Sequence, residues 1–216
     1  MKIREIKIPK SIIYIYSFAI VLNILRVLLF GSTAFLYILW NILLATIPFI
    51  TSSILLIYTK KENIIKPFFI TGFIIWLLFL PNAPYVVTDF IHLGRIHSVP
   101  VMFDIFVLFS SAGVSLLMGL YSLSHMEKIL LLRFSKKATN LFIAIIILFT
   151  SFGIYLGRFL RFNSWDIFTS HSFLMNSVWK IFSQSNNYVN VYGYTLLFFV
   201  FIYISFLSFK NSNIKI

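Results

Sequence analysis

The feature that most constrains this chain is the recurrence of apolar runs as long as a bilayer is thick. A membrane-crossing helix needs roughly 20 mainly apolar residues. Six segments meet that length or approach it: Ser11 to Phe30, Thr33 to Tyr58, about Ile64 or Pro67 to Leu80, Val101 to Leu123, Ala138 to Gly157, and Val191 to Phe209. Of the 216 residues, 60% are hydrophobic and 11% charged, against about a quarter charged in a soluble domain. Such a chain cannot cover itself with an ordinary polar surface, and disorder is excluded because it requires low hydrophobicity. With no Cys, disulfides, thiolate metal sites and cysteine nucleophiles are excluded as well. The expected fold is all-α: one polytopic transmembrane helix bundle over 1–216, with about six spans plus short interfacial amphipathic helices.

The net charge of +12 reads as a topology signal, and nucleic acid is not expected as a partner. With the N-terminus inside, inner segments hold Lys2, Arg4, Lys7, Lys10, Lys60, Lys61, Lys66, Lys128, Arg133, Lys136, Lys137, Lys210 and Lys215. Outer segments hold Arg95, Arg158, Arg161 and Lys180, and Arg26 lies within a span. By the positive-inside rule both termini are cytoplasmic, in a multi-pass protein of the cell membrane. The first span exceeds the 7–15 apolar residues usual in a cleaved signal, so it reads as a retained anchor. Glu5, Glu62 and Glu127 balance inner basic residues. Asp89, Asp104, Asp166, His92, His97 and His171 lie toward the outer side, and His125 is expected at the inner interface.

The third span ends in Phe79-Leu80-Pro81-Asn82-Ala83-Pro84-Tyr85, followed by Val86 to Gly94. Two prolines break a helix by removing donors and by clashing with the preceding turn. Asn82 is suited to cap a new short helix that Gly94 ends. At α-helical pitch Tyr85, Thr88, Asp89 and His92 share a face, giving an amphipathic interfacial helix or a re-entrant turn. Irregular backbone at membrane depth requires protein or a water-filled cavity to satisfy it, so a pocket near Asn82 is expected.

Asp104 lies about one turn into the fourth span, in line with Ser111, Ser115, Gly119 and Ser122, a face that points into the bundle. It reads as a functional carboxylate or as a helix-start residue held by the dipole. Arg26, near the outer end of the first span, is expected to snorkel, with pairing to Asp104 as the alternative. In the fifth span Gly153 and Gly157 form a close-packing pair. If that helix continues, Arg158 and Arg161 share a face and can clamp an anion, since the guanidinium fork matches phosphate; pairing with outer carboxylates is the alternative. Ser164 is placed to cap one amphipathic helix from Trp165 to about Ser183, with Asp166 in its first turn and His171 on its apolar stripe. Lys180 is placed for a lipid phosphate, and Gln184 to Asn190 reads as a loop.

The run Pro81-Asn82-Ala83-Pro84-Tyr85 through Asp89-Phe90-Ile91-His92-Leu93, with Gly157-Arg158-Phe159-Leu160-Arg161-Phe162-Asn163-Ser164-Trp165-Asp166, resembles the bacterial membrane-protein family known as domain of unknown function 1361. The resemblance covers nearly the whole chain. It implies a multi-pass bacterial membrane protein of unknown activity and supplies no catalytic residues to carry over.

Three functions compete on the residues. The first is an outer-interface site with Asp89, His92 and Asp104 as catalytic candidates. Asn82, Tyr85, Arg158, Arg161, Asn163 and Asp166 would bind an anionic lipid or phosphate-bearing ligand, with a divalent metal as a possible cofactor. The second is small-solute transport through the broken third span. The third is an accessory subunit whose small-residue faces bind a partner membrane protein. Membrane lipids are partners in all three.

Overall fold

The computed structural model describes residues 10–60, 66–94, 99–183 and 188–213. Glu5, Glu62, Arg95, His97, Lys2, Arg4, Lys7, Lys61, Lys215 and the 184–187 part of the expected loop lie outside the described residues. Among those described, the chain is helical without strands, and six helices are long and apolar enough to cross a membrane. It divides into two compact units, 1–134 and 135–216.

The first unit comprises α1 (Lys10–Phe30), α2 (Leu36–Lys60), α3 (Lys66–Phe79), α4 (Asn82–Tyr85), a 3-10 helix (Val86–His92) and α5 (Val101–Leu131). The helices are inside-out relative to a soluble protein. On α1 the buried positions Ile12, Ala19, Asn23 and Arg26 are separated by near-whole turns, while Tyr14, Phe18, Val21, Leu25, Leu28 and Leu29 point outward. Hydrocarbon solvates the outward face, so the few polar groups turn inward, where other helices satisfy them. On α5 the same logic places Asp104, Ser111, Ser115 and Ser122 inside and Met102, Phe106 and Phe109 outside. This bears out the inward small-residue face. At about 1.5 Å per residue, the 31 residues of α5 reach about 46 Å, more than the roughly 30 Å hydrocarbon layer requires. Helix α5 is the axis of the unit and packs against α1, α2, α4 and the 3-10 helix. The apolar core between them joins Ile12, Ala19, Phe35, Ile38, Ile42, Ala45, Phe49, Ala83, Val107, Leu108, Val114 and Met118.

The third apolar run continues past its break, over Lys66–His92 as a whole. After Phe79 the chain makes a tight turn. The Ala83 N–H goes to the Leu80 carbonyl at 3.2 Å and the Tyr85 N–H to Pro81 at 3.1 Å. Asn82 does not cap α4, contrary to expectation. The N-cap is Pro81, without a side-chain bond, and the Asn82 amide donates back to the Phe79 carbonyl at 3.0 Å. That carbonyl lost its i+4 partner when Ala83 turned to Leu80, so the side chain supplies the missing donor. Helix α4 is buried at Ala83 and Pro84 and packs between α2 and α5. Gly119 makes room for it: a Cβ there would lie 2.9 Å from the Ala83 Cβ.

The second unit comprises α6 (Lys136–Phe159), α7 (Asp166–Thr169), α8 (His171–Ser183) and α9 (Tyr188–Asn213). Helix α6 packs along α9. Tyr155, Ile181 and Val191 form a small core with Phe152, Leu156 and Leu160 around it, and the rings of Phe159 and Tyr194 meet at 4.5 Å. The expected single helix from Trp165 to Ser183 is interrupted at Ser170, whose φ of −141° lies outside helical geometry. Tyr188–Asn190, expected in a loop, belong to α9.

Candidate functional site

One end of the first unit gathers Arg26, Asp104, Asp89 and His92. Helix α1 closes there through Gly31, whose φ of +64° lets its N–H bond the Val27 carbonyl at 2.9 Å. Only glycine adopts that conformation without steric cost. The turn delivers Ser32 and Phe35 to the Arg26 side chain. The Arg26 Nη1 donates to the Ser32 carbonyl at 3.1 Å and to its hydroxyl at 3.2 Å. The Phe35 ring lies under the guanidinium, its centroid 4.1 Å from Cζ. Nε donates to Oδ1 of Asp104 at 2.7 Å, and Nη2 to Oδ2 at 3.5 Å. Both side chains are 1% exposed. The expectation that Arg26 snorkels is therefore corrected: the carboxylate one turn into α5 and the turn after α1 neutralise it in place. A paired charge avoids the cost of an isolated one in low dielectric.

Asp89 and His92 lie on the same side of the 3-10 helix. Its pitch of three residues per turn aligns Val86, Asp89 and His92, so the expected row of Tyr85, Thr88, Asp89 and His92 does not form. Asp89 is 1% exposed and accepts from the Asn41 amide of α2 at 3.0 Å. The His92 ring meets Tyr37 edge-on at 5.7 Å, and Tyr37 meets Phe35 at 6.1 Å. A contiguous set of side chains thus runs from Asp104 through Arg26, Phe35 and Tyr37 to His92, with Asp89 and Asn41 beside it. Tyr85 is half-buried, and its carbonyl accepts from the Thr88 hydroxyl at 2.7 Å. Gly94, with φ of +74°, follows the helix end as expected. Among the described residues no three His, Cys, Asp or Glu side chains come together to hold a metal ion.

The other candidates belong to the second unit. Helix α6 ends at Phe159, and Arg161 follows in left-handed conformation, φ 59°. Arg158 and Arg161 consequently do not share a helical face. Arg158 is half-buried on the last turn and Arg161 is exposed. Asp166 accepts from the Asn163 backbone N–H at 2.7 Å and from the Thr169 hydroxyl at 3.2 Å. It organises the start of α7, in the manner of the acid in a capping box. The Asn163 side chain is 3.5 Å from the same carboxylate oxygen. His171 is exposed.

Several polar residues of the first unit carry more than the sequence suggested. His125, expected at an interface, is buried with Nδ1 at 3.2 Å from Ser52 Oγ and 3.4 Å from Ser53 Oγ. Ser122 donates to the Pro48 carbonyl at 3.1 Å and accepts from the Trp76 indole. Asn23 bonds the Ala19 carbonyl at 2.8 Å and Ser111 Oγ at 3.4 Å. The signal for Asn23 and Arg26 was present: with Ala19 they form one helical stripe on a segment whose remaining surface is apolar.

The length and apolar character of these helices, with their inward polar faces, define a multi-pass integral membrane protein of all-helical class. The chain belongs to the family described as protein of unknown function (DUF1361), whose model matches residues 40–214. No curated protein and no solved structure matches it significantly.

Proposed function

We propose that this membrane protein binds a phosphate-bearing anion, such as a lipid headgroup, at the non-cytoplasmic interface through Arg158, Arg161 and Asn163. The carrying observation is Arg161. It is exposed, it sits in a backbone conformation that a non-glycine residue adopts only at a cost, and the nearby Asp166 is occupied by Asn163 and Thr169. A guanidinium held at that cost and not opposite the local carboxylate suits an external anion. The Lys and Arg distribution along the chain favours the non-cytoplasmic side for this turn. Asp104 acts as counter-charge to Arg26. Asp89 and His92, with Tyr85 and Asn82 close in sequence, form a second polar group of the same protein.

The test uses full-length protein in nanodiscs of phosphatidylcholine, titrated with phosphatidylglycerol or with inorganic phosphate. Arg161→Gly keeps the left-handed backbone and removes the guanidinium. A charge-assisted contact worth about 1.5–3 kcal/mol predicts at least a tenfold loss of phosphatidylglycerol binding. Arg161→Lys retains part of it. Equal binding by wild type and Arg161→Gly would sink the proposal. Binding of free phosphate with no preference for the lipid would identify a soluble anion as the ligand.

A further inference from the structure

The buried polar groups of the first unit do not stop at the Arg26–Asp104 end. They continue along the inward side of α5: Asp104, Ser111, Ser115, Ser122 and His125 are all buried. At 1.5 Å per residue, the rise from Asp104 to His125 is about 32 Å, the thickness of a bilayer's hydrocarbon layer. Neighbouring helices fill the intervals. Asn23 of α1 links the Arg26 level to Ser111. Between Ser115 and Ser122, Thr46 of α2 lies 3.5 Å from the Tyr16 hydroxyl and 3.8 Å from the Met118 sulfur. Ser122 bonds the Pro48 carbonyl, and His125 meets Ser52 and Ser53.

Two side-chain oxygens on this line lack a protein partner. Asn23 Oδ1 and Ser115 Oγ are buried without a hydrogen bond, in residues 2% and 0% exposed. Buried polar atoms are almost always bonded to protein or to ordered water. An acceptor on α1 and a hydroxyl on α5, both on the polar line, are a place for water between the two helices.

We infer that this line is a hydrated path that carries protons across the membrane between the Arg26–Asp104 end and His125. Each hydroxyl or water on it accepts one proton and releases another, so no net bond is made and the electrochemical gradient of the proton drives the flow. The Arg26 charge, which would repel a proton if isolated, is cancelled by Asp104.

The test is full-length protein in liposomes with an entrapped pH-sensitive dye, with proton entry driven by a valinomycin-clamped potassium potential. Wild type should take up protons several-fold faster than protein-free liposomes. Ser115→Ala removes a hydroxyl that has no protein partner, so it should leave folding intact and cut the protein-dependent rate at least fivefold. Asn23→Leu should do the same, and Ser151→Ala on α6 should leave the rate unchanged. A folded, monodisperse wild type with no flux above protein-free liposomes would overturn the inference. So would an unchanged rate in Ser115→Ala.

Discussion

Replacing Asp104 by Asn tests whether the buried ion pair holds the first unit together. The substitution keeps the shape and removes the charge. It leaves the Arg26 guanidinium, 1% exposed, with only the Ser32 oxygens and the Phe35 face. Removing one member of a buried pair costs about 3–5 kcal/mol, because the survivor stays charged and unpaired. Within a membrane, single hydrogen bonds average about 0.6 kcal/mol, so the lower end, about 3 kcal/mol, is expected. That lowers the folding equilibrium constant by more than a hundredfold. The double variant Arg26→Met with Asp104→Asn removes both charges and should recover about 2 kcal/mol or more relative to the sum of Arg26→Met and Asp104→Asn. The assay is SDS-driven unfolding in mixed micelles, followed by far-ultraviolet circular dichroism. If Asp104 served only the dipole at the start of α5, its loss would cost about 0.3–1 kcal/mol without coupling to Arg26. Additive single and double variants would therefore refute the pairing argument.

In the same assay, Ser122→Ala leaves the Trp76 indole N–H buried without its acceptor and should cost about 1–3 kcal/mol, with a change in tryptophan emission. Gly119→Ala drives a methyl to within 2.9 Å of the Ala83 Cβ and should cost about 1–3 kcal/mol; adding Ala83→Gly should restore most of it, and failure of that rescue would dissociate the two sites. Gly31→Ala meets nothing within 4 Å, so its cost is backbone alone, about 1–2 kcal/mol for a left-handed residue; an unchanged midpoint would show that the turn relaxes. Because the chain has no Cys, single cysteines at Thr33 and Arg133 report topology directly. An impermeant maleimide added to intact cells should label the first and not the second, and the reverse would invert the proposed orientation.

The spans were legible because a run of apolar residues has one cheap solution in a bilayer: a helix that satisfies its own backbone. The inward face of α5 was legible for a related reason, since small and polar residues every three or four positions have nowhere else to go. Pairings across helices were less so. Arg26 and Asp104 are far apart in sequence, and a helical period places each on a face without saying which face it meets. Arg26 also lies close enough to its span's end that snorkelling competes with pairing on sequence alone. The local errors share another cause. Arg158 and Arg161 were placed together by extending α6, but nothing in Gly157 to Phe162 marks a stop: Arg161, not a glycine, takes the left-handed position. The Val86–His92 segment reads at the α period, and it adopts the tighter 3-10 pitch instead.

That tighter pitch bears on where chemistry could occur. A span interrupted inside the bundle leaves carbonyls without partners, and here one such carbonyl is satisfied by a side chain while two further contacts from other helices flank the break. Asn82 returns its amide to Phe79, Gly119 of α5 lets Ala83 approach, and Ser122 ties Trp76 of α3 to the carbonyl of Pro48 in α2. The break fixes the rotation of the following 3-10 helix, and with it the direction of Asp89 toward Asn41 and of His92 toward Tyr37. In a continuous α-helix Asp89 and His92 would lie about 300° apart around the axis at 100° per residue, a separation of 60° the short way. In the 3-10 helix they eclipse. The proline pair thus sets the register of the two titratable side chains, and substituting either proline should displace Asp89 and His92 before it disturbs α3.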